Sequence, residues 1–409
     1  MKKNETPPSI LIFGAGKIGR SFIGQLFGLS GYELVFSDID LSLVRMLNER
    51  GTYPVVVKDE VGVCLQIPRV RAIYGLDKEQ VVKEIAAASL MAVSVGKNAL
   101  EKIIPLIADG LLLRFRKDPA NPLNVIIAEN MRSGALFIRQ RLKENLPSGY
   151  PLDSLVGLVE TSIGKMVPIM TREDLEADPL QIFAEAYNKL IIDKKAFKGV
   201  IPPVNGLSPK ENIQAWVDRK AFIHNLGHAT VAYYGAFKHP EAIYIYQVLD
   251  DTDVYVFARK VMLQAAAIVQ RNYPDDFSME ELEEHIDDLL KRFQNKHLKD
   301  TLYRVGQDRP RKLGPDDRFV GIIRMAERHR MNNEEIIKAM THSFFFRVTD
   351  ENGNRSEQDI LLDDCLAAGL EYTLQKICGF DEGSDQNLIS RCLACYADIC
   401  KQGKDYPLQ

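Results

Sequence analysis

In the segment DRKAFIHNLGHATVAYYG, Lys220, Asn225 and His228 fall five and eight positions apart within a pattern of helical period. On an α-helix turning about 100° per residue, these offsets put the three side chains at roughly 0°, 140° and 80° over about 12 Å of axis. One small molecule could touch all three. An amine, a carboxamide and an imidazole are also groups that exchange protons with, or hydrogen-bond to, an alcohol oxygen. A second polar pair, Glu129 and Asn130, ends the apolar run in LNVIIAENMRSG, which reads as a parallel strand. Open α/β sheets bind their ligands at that carboxyl edge, and Asn130 is expected there as a hydrogen-bond donor.

The reaction such groups could serve depends on SILIFGAGKIGRSFIGQLFG, where Gly14, Gly16 and Gly19 interrupt a strand-to-helix pattern. Glycines two and then three apart let the backbone turn sharply and approach a pyrophosphate, while the helix N-terminus supplies amide donors and a favourable dipole. The cradle is expected to comprise Gly14, Ala15, Gly16, Lys17, Ile18 and Gly19. Asp38 ends the second strand 24 residues after Gly14. An acid there accepts hydrogen bonds from the adenosine ribose and repels a 2′-phosphate, so NAD is expected rather than NADP.

A nicotinamide enzyme that oxidises an alcohol must remove the hydroxyl proton as hydride leaves, and must stabilise the developing alkoxide with a zinc ion or side-chain donors. Zinc is not expected. The helix-spaced pair His224 and His228 has no intervening acid of the zincin kind and no nearby Cys ligand.

The elements that must position these groups change character along the chain. Strand and helix patterns alternate through the first half, with an inserted hairpin in YPVVVKD and VCLQIPRVRAIYG and further strands in LVGLVETSIGKMVP and NKLIIDKKAF. After the Pro- and Gly-rich stretch IPPVNGLSP, long helical patterns such as YVFARKVMLQAAAIVQRNY and MEELEEHIDDLLKRF dominate. The expected fold is α/β, a doubly wound sheet over residues 1–204 followed by an all-α domain over 205–409. The 409 residues are ample for two cores, and a net charge of −4 offers no basic face for nucleic acid. The start MKKNETPP carries no signal-peptide pattern, so a cytoplasmic location and no membrane association are expected. The six cysteines do not form a disulfide framework, and Cys392 and Cys395, a lone CxxC in a helical pattern, read as packing residues.

Six stretches occur in the order found in one known family: FGAGKIGRSFIG, FSDID, PLNVIIAENMRSG, FKGVIPPVNGL, VDRKAFIHNLGHA and RFQNKHLKDTLYRVGQDRPRKLGPDDR. Through them the chain resembles the polyol-specific long-chain dehydrogenase/reductase family, most closely its mannitol-1-phosphate 5-dehydrogenase branch. The resemblance implies a Rossmann-type domain followed by a helical one, and metal-free catalysis by Lys220, Asn225 and His228 with Asn130 as a second polarising amide. Lys220, desolvated in a cleft between the domains, would act as general base. Asn130 and Asn225 would hold the alkoxide, and His228 would hydrogen-bond the reacting or adjacent hydroxyl.

The implied activity is NAD-dependent interconversion of D-mannitol 1-phosphate and D-fructose 6-phosphate. Alternatives within the family are oxidation of free mannitol and reduction of hexuronates such as tagaturonate and fructuronate; outside it stands a non-catalytic NAD-binding sensor. Arg304 to Arg318 is rich in cations, and Arg309, Arg311 and Lys312 are the expected contacts to a substrate phosphate. Two stretches depart from the family. Ile163, Gly164, Lys165 and Met166 stand where members read Val-Asp-Arg-Ile, which removes an acid from the cleft. His224 replaces an apolar residue. The sequence leaves the oligomeric state open.

Overall fold

Continuous burial along SILIF explains the layering of the first half. In a computed structural model that describes residues 7–402, strand β1 (Ser9–Phe13) sends Ile10 and Ile12 into one apolar cluster and Leu11 and Phe13 into another. A strand with both faces buried belongs in the middle of a parallel sheet. The remaining strands are β2 (Glu33–Asp38), β3 (Tyr53–Val57), β4 (Cys64–Ile67), β5 (Val70–Tyr74), β6 (Leu90–Val93), β7 (Leu123–Ile127), β8 (Val156–Ser162), β9 (Ile182–Ala184), β10 (Leu190–Asp193) and β11 (Leu207–Lys210).

Eight of these form a sheet in the order β11-β10-β8-β7-β6-β1-β2-β5, and β4-β3-β9 form a small second sheet. β1 pairs in parallel with β2 on one side and β6 on the other. The chain therefore winds away from β1 in both directions, and a crevice opens at the carboxyl ends of β1 and β6. The only antiparallel neighbours among the paired strands of this sheet are β8 and β10.

The expected hairpin is present only as β3 and β4, because VRAIY leaves the insertion and joins the main sheet beside β2 as β5. Contacts divide the chain after Val217 rather than after residue 204. The stretch following IPPVNG adds β11 as an edge strand parallel to β10, and so stays with the sheet.

The second unit is helical. Its main helices are α1 (Leu226–Lys238), α2 (Thr252–Asn272), α3 (Met279–Phe293), α4 (Val320–His329), α5 (Glu334–His342), α6 (Glu357–Ala368) and α7 (Gln386–Gln402). In α3, Leu282, Ile286, Leu289, Leu290 and Phe293 are buried, a stripe at helical spacing, and Ser278 with Glu281 closes a capping box at its start. Buried Val254, Phe257, Val261, Met262, Ala265 and Val269 make α2 a central packing element. Cys392 in α7 is fully buried, and burial pushes its thiol up to about 12, as suits a packing residue.

The turn after β1 is tightly packed against backbone. Gly14 has φ +92°, a left-handed conformation that glycine adopts freely. A Cβ on Gly19 would stand 2.0 Å from the Gly14 carbonyl oxygen, whereas a Cβ on Gly16 would meet nothing within 4 Å. Gly19→Ala should therefore cost at least about 1–3 kcal/mol in stability, because a backbone oxygen cannot step aside, while Gly16→Ala should unfold like the parent. Denaturant unfolding of the two variants checks this, and equal midpoints would contradict it.

Candidate active site

The first cluster forms at the carboxyl ends of β1, β2, β6 and β7. Beyond Gly14, whose N–H donates to the Ser37 carbonyl at 2.9 Å, Gly16 and Lys17 are exposed and Ile18 is half-buried. One oxygen of Asp38 accepts the Ala15 N–H at 2.7 Å and the other accepts the Asp40 N–H at 3.0 Å. Asp38 thus ties the end of β2 to the glycine turn. Its carboxylate also keeps lone pairs for outside donors. The open space over Gly16, the glycine-enforced turn and the acid at the end of β2 fit a dinucleotide.

Arg20, which the sequence reading passed over, braces this turn from behind. Arg20 is 7% exposed, and its guanidinium donates to the carbonyls of Ala15 at 2.6 Å and Leu180 at 2.7 Å. The Tyr53 hydroxyl donates to the Arg20 carbonyl at 2.8 Å. These residues are linked only through the folded chain, so no periodicity could have announced them. The helix after the turn opens with a π-helical stretch, Gly19–Gly24.

At the end of β7 the two polar residues separate in role. Glu129 accepts the N–H groups of Val95 at 2.6 Å and Gly96 at 3.0 Å, joining the β6 and β7 ends. Burial raises its carboxyl above the ordinary value, against those two backbone donors. Asn130, next in sequence, is exposed on the bend that follows. A small hollow beside it is lined by Glu129, Met131, Ser133, Glu160 and Thr161.

The second cluster lies in the helical unit, where the helix geometry differs from the expected one. Lys220–Asn225 is a π-helical turn leading directly into α1, and the Leu226 N–H donates to the Ala221 carbonyl, five residues back. Bonds to the fifth residue make the turn wider than an α-turn. Lys220 and Asn225, five apart, then come closer in azimuth than the roughly 140° of a regular helix. The Tyr273 hydroxyl at the end of α2 donates to the Asp218 carboxylate at 2.5 Å, and Arg318 donates to the Asn225 carbonyl at 3.3 Å, so the turn is held at both ends.

Lys220 retains some exposed surface, but protein surrounds its amine. Burial pushes the ammonium down to about 8; the Arg318 guanidinium adds to this, Asp317 opposes it and Arg311 adds again. His228 lies flat against Phe293, with ring centroids 4.4 Å apart and 7° between planes, and its Nε2 faces Asp300 Oδ2 at 3.3 Å. Burial lowers its pKa despite that carboxylate, so the ring is neutral near pH 7. His224 is a core residue, 5% exposed and 5.6 Å from the Phe293 ring, and burial holds it neutral as well.

Much of the basic stretch expected to meet a phosphate is engaged within the helical unit. Arg309 is fully buried: it donates to Asp359 Oδ1 at 3.1 Å, the Asp359 carbonyl at 2.9 Å, the Ser343 carbonyl at 3.1 Å and Asp363 Oδ1 at 2.9 Å. Its donors are engaged inside the unit. Lys312 is 4% exposed and donates to the carbonyls of Val305 and Gln307, and burial pushes it down to about 7. It too serves the interior. Arg311 is half-exposed and paired with Asp308 at 2.5 Å and Asp317 at 3.3 Å.

The departing stretch is also internal. Lys165 is 6% exposed; its amine donates to Gln25 Oε1 at 2.9 Å and Asn188 Oδ1 at 2.8 Å, and the Met166 N–H donates to the Glu185 carboxylate. Here a buried cation cross-links the helix behind the glycine turn to the segment before β10.

Two solved structures share this architecture along nearly their whole length. Pseudomonas fluorescens mannitol 2-dehydrogenase, solved as a ternary complex with NAD and D-mannitol, is 13% identical; the match covers 98% of this chain and 93% of that one with a TM-score of 0.77. A D-sorbitol dehydrogenase in substrate-free form is 16% identical, with 97% and 94% covered and a TM-score of 0.78. At such identities the likeness is one of fold. Family membership comes from sequence: residues 8–206 match the mannitol dehydrogenase Rossmann domain and residues 212–376 the mannitol dehydrogenase C-terminal domain. With both domains matched in order, the chain belongs to the mannitol dehydrogenase family.

Proposed function

We propose that this chain is an NAD-dependent polyol dehydrogenase that oxidises a secondary alcohol of a hexitol, and reduces the corresponding ketose, with Lys220 as general base and no metal. The observation that carries the reading is the Lys220 amine, lowered to about 8 on a π-turn shared with Asn225. An amine with that value is partly neutral near pH 7, and so can accept the hydroxyl proton and return it in reduction. The open, glycine-built cradle at Gly14–Gly19 and the Asp38 carboxylate support the cofactor assignment. NAD, when bound, supplies the hydride acceptor.

The remaining steps belong to the chain's own groups. Asn225 donates its amide N–H to the alcohol oxygen as negative charge develops there, and Asn130 is proposed as the second such donor. His228 contacts a substrate hydroxyl. Arg318, buried beside the π-turn, helps keep the neutral form of Lys220 accessible.

D-mannitol 1-phosphate and D-fructose 6-phosphate remain the proposed substrate pair, resting on the family branch that the sequence resembles. Of the three cations first assigned to the phosphate, Arg311 alone has substantial exposure. A second reading, oxidation of a free hexitol, is favoured by the internal engagement of Arg309 and Lys312. Hexuronate reduction needs a carboxylate partner and draws on the same reduced set of cations.

Purified protein incubated with NADH and fructose 6-phosphate, free fructose or a hexuronate, and followed at the nicotinamide absorbance, tests the assignment. Oxidation of NADH by none of them contradicts the enzyme reading and leaves a cofactor-binding sensor. Lys220→Ala should lower turnover by about a hundredfold or more with NADH binding near normal, since only proton transfer loses its partner. Unchanged turnover removes Lys220 from the mechanism. If the phosphate is bound through Arg311, Arg311→Ala should raise the KM for fructose 6-phosphate about tenfold with little effect on free fructose. A parent enzyme that prefers free fructose selects the second reading.

A further inference from the structure

Two buried polar atoms face each other in the helical unit. His228 Nε2 and Asp300 Oδ2 lie 3.3 Å apart, aligned too loosely for a fully formed hydrogen bond, and neither has a hydrogen-bond partner elsewhere. A buried donor and acceptor left unmatched would be costly, and the arrangement resolves if Nε2 carries the proton and points at the carboxylate. Asp300 is itself fixed. It is 4% exposed, its other oxygen Oδ1 accepts from Arg304 Nε at 2.5 Å, and its backbone carbonyl accepts the Ile245 N–H at 2.9 Å. The Thr301 hydroxyl caps the short helix that carries Arg304. On the other side, Phe293 holds the imidazole plane by stacking at 4.4 Å.

We propose that Asp300 is a positioning residue that locks His228 as the Nε2–H tautomer, leaving Nδ1 as a hydrogen-bond acceptor for a substrate hydroxyl. The two ring nitrogens of histidine are not equivalent, and the bond made by one decides what the other can do. Nδ1 makes no hydrogen bond to a described residue, and 14% of the side chain is exposed. The charged groups around the ring support a neutral imidazole: Arg304 and Arg318 disfavour a second proton, and Asp300 is the carboxylate that opposes them. Burial alone would raise the Asp300 carboxyl, yet His228 and Arg304 together hold it below its ordinary value, so a charged acceptor faces Nε2.

The consequence is a rule of recognition. An acceptor nitrogen welcomes an oxygen that carries a proton and turns away phosphate, carboxylate and carbonyl oxygens. His228 would then select a carbon that keeps its hydroxyl in both directions of the reaction, rather than the oxygen that becomes the ketone. This rests on the reading above that His228 touches substrate, whereas the tautomer itself does not depend on it.

Protein labelled with 15N-histidine reports the tautomer directly through the ring nitrogen shifts, with His228→Gln identifying the signal. The parent should show a neutral ring protonated on Nε2. Asp300→Asn replaces an obligate acceptor with a group that can turn its N–H toward Nε2, so the tautomer should move to Nδ1–H or become mixed. Turnover should fall about tenfold or more, in the range of lost outer supporting bonds, while the NADH dissociation constant holds within about twofold. An unchanged Nε2–H tautomer in Asp300→Asn overturns the proposal, whatever happens to the rate. A switched tautomer with unchanged turnover upholds the positioning and instead contradicts substrate contact by His228. Should Asp300→Asn fail to fold, the parent spectrum decides, because an Nδ1–H or doubly protonated His228 near pH 7 overturns the proposal alone.

Discussion

The wide turn at Lys220–Asn225 is the constraint on which the candidate chemistry depends. A π-turn gives up regular α-helical bonding and persists only where surrounding contacts hold it. Here Asp218, bonded to Tyr273, anchors the segment before it, and Arg318 grips the Asn225 carbonyl at its far end. What the turn provides is register. It gathers an amine and a carboxamide toward one side of the helix, and the regular α-helix that follows presents His228 one turn later.

The same region shows how a family scaffold spends its charges. Of the basic residues between Arg304 and Arg318, Arg309 pairs with Asp359 and Asp363 inside the helical unit, Lys312 satisfies two backbone carbonyls, and Arg304 holds Asp300. Buried charges must be paired, so Arg309 and Lys312, both buried, specify the fold before they can serve a ligand. Arg318 differs. It lies beside the π-turn, and its field lowers both Lys220 and His228. In the first unit Lys165 follows the same logic, a cation turned inward onto Gln25 and Asn188.

Much of this was legible in the sequence. The alternation of apolar strands and helices predicted a doubly wound sheet, and the three glycines with Asp38 marked its ligand edge, because both signals are local and periodic. The spacing of Lys220, Asn225 and His228 was also visible. Their angular arrangement was not, because α-helical geometry was assumed and a π-turn leaves no periodic mark. The fate of Arg309 and Lys312 was hidden for a different reason: their partners Asp359, Asp363, Val305 and Gln307 are fixed by tertiary packing, and a run of cations reads the same whether it faces solvent or the core. The boundary expected after residue 204 rests on a Pro- and Gly-rich stretch that marks a break in pattern; in the fold that stretch is a loop leading to one last edge strand, and contacts divide the chain after Val217.

The central claim is that burial beside Arg318 makes Lys220 a base at ordinary pH. Its most direct measurement is the pH dependence of kcat/KM for alcohol oxidation, which reports the free enzyme. Below its pKa the ammonium has no lone pair to accept the proton; above it the neutral amine does. The account predicts that kcat/KM rises with pH and levels off after a midpoint of about 8. A profile flat between about pH 6 and 10, or one that rises only near the ordinary lysine value of about 10.4, would contradict it.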